Sequence, residues 1–100
     1  NLGGLSECTL LVDGISSAVC HKTVEEIWFF TQGSGQVWRS LDDIEQIDVV
    51  VTGTSISIPL GTNFQFKNTG RIPLKFIIST MPPWPGPNEA YPVEGKWIEK

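Results

Sequence analysis

Short stretches of alternating polar and apolar residues, separated by glycine and proline turns, dominate this chain. Residues 55–58 and 63–67 both alternate, which places Ile56 and Ile58, and likewise Phe64 and Phe66, on one face of an extended strand. No stretch sustains the 3.6-residue apolar period of an amphipathic helix. Turns recur roughly every 8–12 residues. The pattern therefore predicts an all-β sandwich or barrel.

The predicted strands follow one another closely along a single domain of 100 residues. Residues 40–46 are polar and acidic and are expected to form a loop. The predicted strands cover residues 7–12, 15–21, 26–31, 36–39, 47–52, 55–58, 63–67 and 73–79. A chain of this length needs one compact core.

Residues 81–100, here called the strap, differ in composition from the rest of the chain. They contain five of the seven prolines and two of the four tryptophans. Because proline cannot donate a ladder hydrogen bond, the strap is not a central strand. A flexible linker would not carry Trp84, Tyr91 and Trp97. We expect an extended segment whose aromatic side chains dock on the barrel, closing one mouth or covering an outer face.

The net charge and the two cysteines limit which partners and which cellular compartment are expected. A net charge of −4 with scattered lysine and arginine argues against a nucleic-acid partner. No apolar run approaches the ~20 residues that span a bilayer, so no membrane partner or signal peptide is expected. Cys8 and Cys20 fit two reduced thiols of a cytoplasmic protein. The alternative is a disulfide between neighbouring strands around the Asp13–Gly14 turn.

His21 and Glu26 flank a four-residue connection between two predicted strands. If residues 22–25 form a hairpin loop, the two side chains face each other across the ladder with Cβ atoms roughly 5 Å apart. The same pairing places Val19 opposite Trp28. One face then presents two ionisable groups among apolar neighbours, namely Val19, His21, Glu26, Trp28 and Phe30.

This face predicts a mostly apolar cavity at a barrel mouth. Its expected lining is Val19, His21, Glu26, Trp28, Phe30, Ile56, Ile58, Phe64 and Phe66, with Trp38 and Trp84 as further candidates. A buried carboxylate is costly unless it is partnered, and burial raises its pKa. The pair suits proton transfer, with Glu26 as the base and His21 as the orienting or donating group. The alternative is an inert pair within a packed core.

The predicted third strand is apolar on both faces. Ile27 and Phe29 point away from Glu26 and Trp28. The outer face therefore needs cover from the strap or from a second subunit. This predicts a homodimer.

Two sets of residues resemble the motifs of the cupins, small jelly-roll barrels also described as double-stranded β-helices. The first motif lies at about 14–33 and is carried by Gly14, His21, Glu26 and Gly33. The second lies at about 53–68 and is carried by Gly53, Pro59, Gly61 and Asn68. The resemblance covers about residues 7–79, and the end of the chain looks like that of small single-domain bacterial cupins. It implies one cupin domain over residues 1–100.

The chain departs from the family at its metal ligands. Most cupins hold a divalent metal with three histidines and a glutamate, and Val19 and Phe64 stand at two of the histidine positions. Only His21 and Glu26 remain, whereas a transition metal usually takes three or four protein ligands. We therefore expect no cofactor. Asn68, Gln65 or a water could substitute, although Gln65 is expected to point outward.

The predicted function is small-molecule binding in the aromatic pocket, without a metal. The ligand-binding residues are Val19, Trp28, Phe30, Trp38, Phe64, Phe66 and Trp84. One alternative is a small isomerase, epimerase or cyclase that uses His21 and Glu26 as an acid–base pair. A second is a metal-dependent cupin with atypical ligands. The fold alone does not choose among them.

Overall fold

The computed structural model describes residues 4–82, 85–86 and 89–100, which form an all-β structure. Its strands are β1 (Gly4–Leu10), β2 (Val19–His21), β3 (Glu25–Gln32), β4 (Ser34–Leu41), β5 (Ile44–Val51), β6 (Ser55–Ile58), β7 (Asn63–Asn68), β8 (Leu74–Met81) and β9 (Ala90–Pro92). They make a four-stranded sheet in the order β1-β8-β3-β6 and a five-stranded sheet in the order β5-β4-β7-β2-β9. Neighbouring strands are antiparallel throughout these pairings. The predicted jelly-roll-type fold is confirmed.

The core lies between the two sheets because the strands alternate as predicted. In β3, Glu26, Trp28 and Phe30 are buried, whereas Ile27 and Phe29 are exposed. The buried apolar cluster comprises Trp28, Phe30, Val37, Val50, Ile56, Ile58, Phe64, Leu74 and Phe76. Burial of this apolar surface is the main favourable contribution to folding.

The chain passes from one sheet to the other at Gly33, between β3 and β4. Gly33 has a φ of 86°, a left-handed conformation that glycine adopts without penalty. A Cβ at this position would also lie 2.9 Å from the carbonyl oxygen of Pro73. The glycine that the sequence places after β3 is therefore required by the backbone at the edge of the core.

Residues 40–46 do not form the expected loop. Leu41 pairs with Ile44, so β4 and β5 make a hairpin with Asp42 and Asp43 as its two-residue turn. Both aspartates have positive φ, 53° and 64°, as a type I′ turn requires. The polar residues after the turn belong to an edge strand that is largely exposed. Because both faces of this part of the strand are exposed, its sequence does not alternate between polar and apolar residues. The polar composition therefore led to the wrong prediction of a loop.

The strands around the two cysteines also differ from the prediction. β1 covers Gly4–Leu10 rather than 7–12, and β2 covers only Val19–His21. Cys8 and Cys20 consequently lie in different sheets rather than on neighbouring strands, and both are free thiols.

Part of the strap joins the five-stranded sheet. Ala90–Pro92 forms β9 and pairs with β2 at the sheet edge, a position that tolerates proline. Further along, the backbones of Ile15 and Lys100 exchange two hydrogen bonds of 2.9 Å. Trp84 lies outside the described residues. Across the residues that are described, no helix has the length and apolar character needed to cross a membrane.

Candidate ligand site at the His21–Glu26 pair

His21 and Glu26 are close together, but not through a hairpin. The hairpin prediction is wrong, because β2 lies between β7 and β9 whereas β3 lies between β8 and β6 in the other sheet. Val19 pairs with Phe64 and Pro92 rather than with Trp28. The connection between the strands crosses from sheet to sheet, and His21 Nδ1 lies 3.6 Å from Glu26 Oε2. The pair therefore bridges the two sheets.

Glu26 is buried, with 6 % of its surface exposed. Its Oε1 accepts a hydrogen bond of 2.7 Å from Trp28 Nε1. Burial raises the pKa of Glu26, the Trp28 hydrogen bond opposes this, and the nearby Glu89 carboxylate raises the pKa further. The net shift favours the protonated acid.

His21 is equally buried and contacts an aromatic ring. Its imidazole meets Phe64 edge to face, with ring centroids 5.0 Å apart. Burial lowers the pKa of His21, and the charge of Glu89 partly opposes this shift. The environment therefore moves His21 and Glu26 towards their neutral forms, an arrangement that suits proton transfer.

Glu89 completes the surroundings of the pair, and the sequence analysis missed it. Its carboxylate accepts hydrogen bonds from Thr23 N and Thr23 Oγ1, both 2.6 Å, and from Val24 N at 2.9 Å. Burial by itself raises the pKa of Glu89, but these hydrogen bonds and His21 outweigh it and lower the pKa. Glu89 thereby ties the strap to the connection between His21 and Glu26. No periodic signal in the proline-rich strap marks this residue.

A cavity of about 510 Å³ lies beside the pair. Five of the predicted residues line it: His21, Glu26, Trp28, Phe64 and Phe66. The other lining residues come from β1 and β8: Gly4, Leu5, Ser6, Cys8, Ile78 and Thr80. Burial, with a contribution from Glu26, raises the pKa of the Cys8 thiol. The alternation within β8 would have indicated Ile78 and Thr80 as inward residues.

Three predicted ligand-binding residues, Val19, Phe30 and Trp38, are not among the described residues that line this cavity. Phe30 is fully buried in the core, and Val19 packs against that core. Trp38 pairs with Gln65 and lies on the opposite face of its sheet, where its Nε1 donates a hydrogen bond of 2.8 Å to Glu45. The remaining residue, Trp84, falls outside the described residues.

Gln65 points away from the cavity, as expected, but the strap covers it. Its Nε2 donates hydrogen bonds of 2.8 Å to the carbonyl oxygens of Ser16 and Trp97, and its Oε1 accepts one of 2.9 Å from Trp97 N. The ammonium of Lys67 lies 4.4 Å from the centre of the Trp97 ring. Trp97 therefore packs on the outer face of this sheet.

The residues present do not fit a divalent metal. Val19 and Phe64, which replace the two family histidines, lie directly opposite each other and supply no donor atom. Asn68 is engaged elsewhere, because its Nδ2 donates hydrogen bonds to the carbonyl oxygens of Leu10 and Ile72. Within the described ranges, no group of three or more histidine, cysteine, aspartate and glutamate side chains is placed to hold a metal ion. Two donors are too few for the usual transition-metal site.

Comparison with known proteins supports the fold. No family model and no curated protein matches the sequence. The structure of BH2720 from Bacillus halodurans is 24 % identical with a TM-score of 0.77, over 83 % of this chain and 64 % of that one. The capsular polysaccharide assembling protein CapF from Staphylococcus aureus is 20 % identical with a TM-score of 0.84, over 95 % and 29 %. The oxalate decarboxylase from Lactobacillus farciminis is 20 % identical with a TM-score of 0.79, over 83 % and 25 %.

These matches, each below 25 % identity, bear on the fold alone. The chain has the cupin fold, as its two motifs predicted. It spans between about a quarter and two thirds of the length of the structures described above.

Proposed function

We propose that this chain binds a small molecule in the cavity between its two sheets, without a metal. The observation that carries the proposal is the cavity of about 510 Å³ with His21 and Glu26 in its wall. Sites for small molecules typically enclose 300–1,000 Å³ and combine apolar walls with a few polar groups. His21 and Glu26 supply such polar groups at one end.

The aromatic wall is already organised. Trp28 meets both Phe64 and Phe66 edge to face, with centroid distances of 5.3 Å in each case. A ligand that enters a preformed wall loses less free energy to ordering of side chains. CapF, which shares the fold, has been solved with the inhibitor 3-isopropenyl-tropolone, a ring compound. A protein that contains this fold thus binds a ring compound, which makes small ring compounds the first choice for a ligand screen.

A thermal-shift screen of small ring compounds tests the binding function, because a ligand that binds only the folded state raises its stability. Phe64→Ala should abolish the shift produced by a hit. Glu26→Gln should retain the shift of an uncharged hit, since such a ligand depends on the shape of this wall more than on the ionisable proton of Glu26. Phe29→Ala, on the outer face of β3, is the matched control. A hit whose shift survives Phe64→Ala contradicts binding in this cavity.

The second candidate is an isomerase, epimerase or cyclase. It is favoured by the 3.6 Å separation of His21 and Glu26 together with the shifts of their pKa values towards the neutral forms. Glu26 would remove a proton next to a carbonyl group, and His21 would orient the substrate or donate a proton to it. Oxalate decarboxylase supports the point that this fold hosts enzymes. An enzyme should lose turnover in Glu26→Gln while substrate binding persists.

We also propose that the protein is a homodimer formed by the outer face of the four-stranded sheet. Ile27 and Phe29 are exposed on this face. Glu25 lies at one end of β3, and Lys75 lies beside the other end. With a two-fold axis that lies in the interface and runs perpendicular to β3, face-to-face packing brings each Glu25 near the Lys75 of the other copy. A second copy of the chain therefore matches the face in polarity and in charge.

Sedimentation velocity at high concentration tests the dimer. We expect the unmodified protein to sediment with twice the mass of one chain, and Phe29→Lys to sediment as a single chain. Val49→Lys, on the exposed side of β5, is the control and should remain dimeric. A single-chain mass for the unmodified protein refutes the proposal.

A further inference from the structure

We propose that the ligand of this cavity is a small organic cation, with its ammonium group against Glu26 and its apolar part between the aromatic side chains. This inference rests on the proposed binding function and adds the chemical class of the ligand. It is carried by the charges and the aromatic residues of the cavity wall.

The charged groups around the cavity favour a cation. No lysine or arginine is among the described residues that line it, whereas the Glu26 carboxyl group is in its wall. Glu89 lies close enough to act electrostatically on both His21 and Glu26. His21 is the one basic side chain among the described lining residues, and because burial lowers its pKa, an anionic ligand would be desolvated with little positive charge beside it, which is costly. By itself the pKa of Glu26 is shifted towards its protonated form, but an ammonium group beside it favours the carboxylate, because opposite charges attract strongly in a poorly solvated site.

The aromatic residues extend this preference into the apolar part of the cavity. Trp28 shares the wall with Phe64 and Phe66, and Trp28 Nε1 also donates the hydrogen bond to Glu26. The indole therefore links the carboxyl group to the aromatic wall. Rings of this kind attract cations at their faces, and tryptophan does so most strongly. The acid and the aromatic side chains thus lie side by side in one wall, where an ammonium group and its apolar substituent would each have a suitable neighbour.

The polar groups are too few for a highly hydroxylated ligand. Besides His21 and Glu26, the side chains of Ser6 and Thr80 are the hydroxyl groups in the lining. A sugar would leave several of its hydroxyl groups without partners in the apolar part, at a cost for each one. A ligand with one polar group and an apolar body fits the distribution of these residues.

A matched series of three compounds tests the inference. Benzylamine, benzyl alcohol and benzoate have similar shapes but differ in charge at neutral pH. Isothermal titration with the full chain should show that benzylamine binds at least about ten-fold more tightly than benzyl alcohol, with benzoate weakest. Equal or tighter binding of benzyl alcohol or benzoate overturns the cation and leaves the binding function intact. If none of the three binds and the ring-compound screen is also negative, both proposals fail.

A second measurement tests whether Glu26 causes the preference for the ammonium compound. Glu26→Gln should reduce the ratio of benzylamine to benzyl alcohol affinity to near one while benzyl alcohol still binds. Glu25→Gln, the outward neighbour on β3, should leave the ratio unchanged. A ratio that persists in a folded Glu26→Gln protein overturns the assignment of the ammonium group to Glu26. If Glu26→Gln does not fold, the series on the unmodified protein still decides the ligand class.

Discussion

Val19 lies directly opposite Phe64 where β2 pairs with β7. The resemblance to cupins places a metal-binding histidine at each of these two positions. The pairing of β2 with β7 therefore places two apolar side chains next to each other, close to His21. A metal bound by His21 would need donor atoms at these positions. Because neither residue supplies a donor atom, only His21 and Glu26 stand at positions that match the family's ligands.

Restoring both histidines should create a metal site. Val19→His with Phe64→His adds two imidazoles to the existing donors and gives the number of ligands that zinc or cobalt prefers. We expect saturable Co²⁺ binding with a visible absorption band, and elemental analysis should show about one metal per chain.

The controls for this design are the two single substitutions and the double variant in which His21 is also replaced by alanine. Each single substitution should bind Co²⁺ more weakly, and His21→Ala in the double-variant background should remove most of the gain. A folded double variant without metal affinity would show that the motif alignment is wrong.

The pH dependence of stability should report the burial of Glu26. Because burial raises its pKa above the usual 4.5, the folded protein keeps a proton that the unfolded chain releases. Stability from this group is complete below pH 4.5 and is lost as the pH rises through the folded pKa. Within that window the slope approaches about 1.4 kcal/mol per pH unit.

Denaturant unfolding of Glu26→Gln between pH 4 and 8 measures this contribution. The free energy of unfolding of the unmodified protein, relative to the variant, should fall as the pH rises. His21 acts in the opposite direction, since its lowered pKa costs stability as the pH falls below 6.5, but it is common to both proteins. Glu25→Gln should not reproduce the effect. Identical pH profiles for both glutamine variants would contradict the prediction.

Trp28→Phe should affect Glu26 as well as packing. The substitution removes the hydrogen bond to Oε1 and leaves a buried acceptor without this partner, at a cost of about 1–3 kcal/mol. Because that bond holds the Glu26 pKa down, its loss should raise the pKa further. A ¹³C NMR titration of the Glu26 carboxyl carbon measures the change. Trp38→Phe, which removes a hydrogen bond to Glu45 on the other face, should leave the Glu26 titration unchanged.

Glu89→Gln should loosen the connection between β2 and β3. The carboxylate accepts the backbone amides of Thr23 and Val24, and an amide side chain is a weaker acceptor. Hydrogen exchange at these two amides should accelerate, while the core amides of Trp28 and Phe30 stay protected. Glu94→Gln, exposed elsewhere in the strap, is the matched control. Unchanged exchange at Thr23 and Val24 would mean that Glu89 does not hold the connection.

The sequence predicted the features that depend on residue type and on residues close together along the chain. Alternation in β3 predicted buried Glu26, Trp28 and Phe30, because successive side chains in any strand point to opposite faces. The motif spacing predicted the cupin fold. Substitutions at Val19 and Phe64 predicted the incomplete ligand set, since residue type alone determines whether a donor atom is present.

Only the tertiary structure decided which strands meet. β2 and β3 follow one another in the chain yet lie in different sheets, so His21 and Glu26 approach across the core rather than along a ladder. It also placed Glu89 beside them and Trp38 on the opposite face. Strand pairing depends on how all the strands pack together, and a local pattern is compatible with several pairings. The alternation therefore determines the face of a side chain, whereas the packing of the whole chain determines its neighbours.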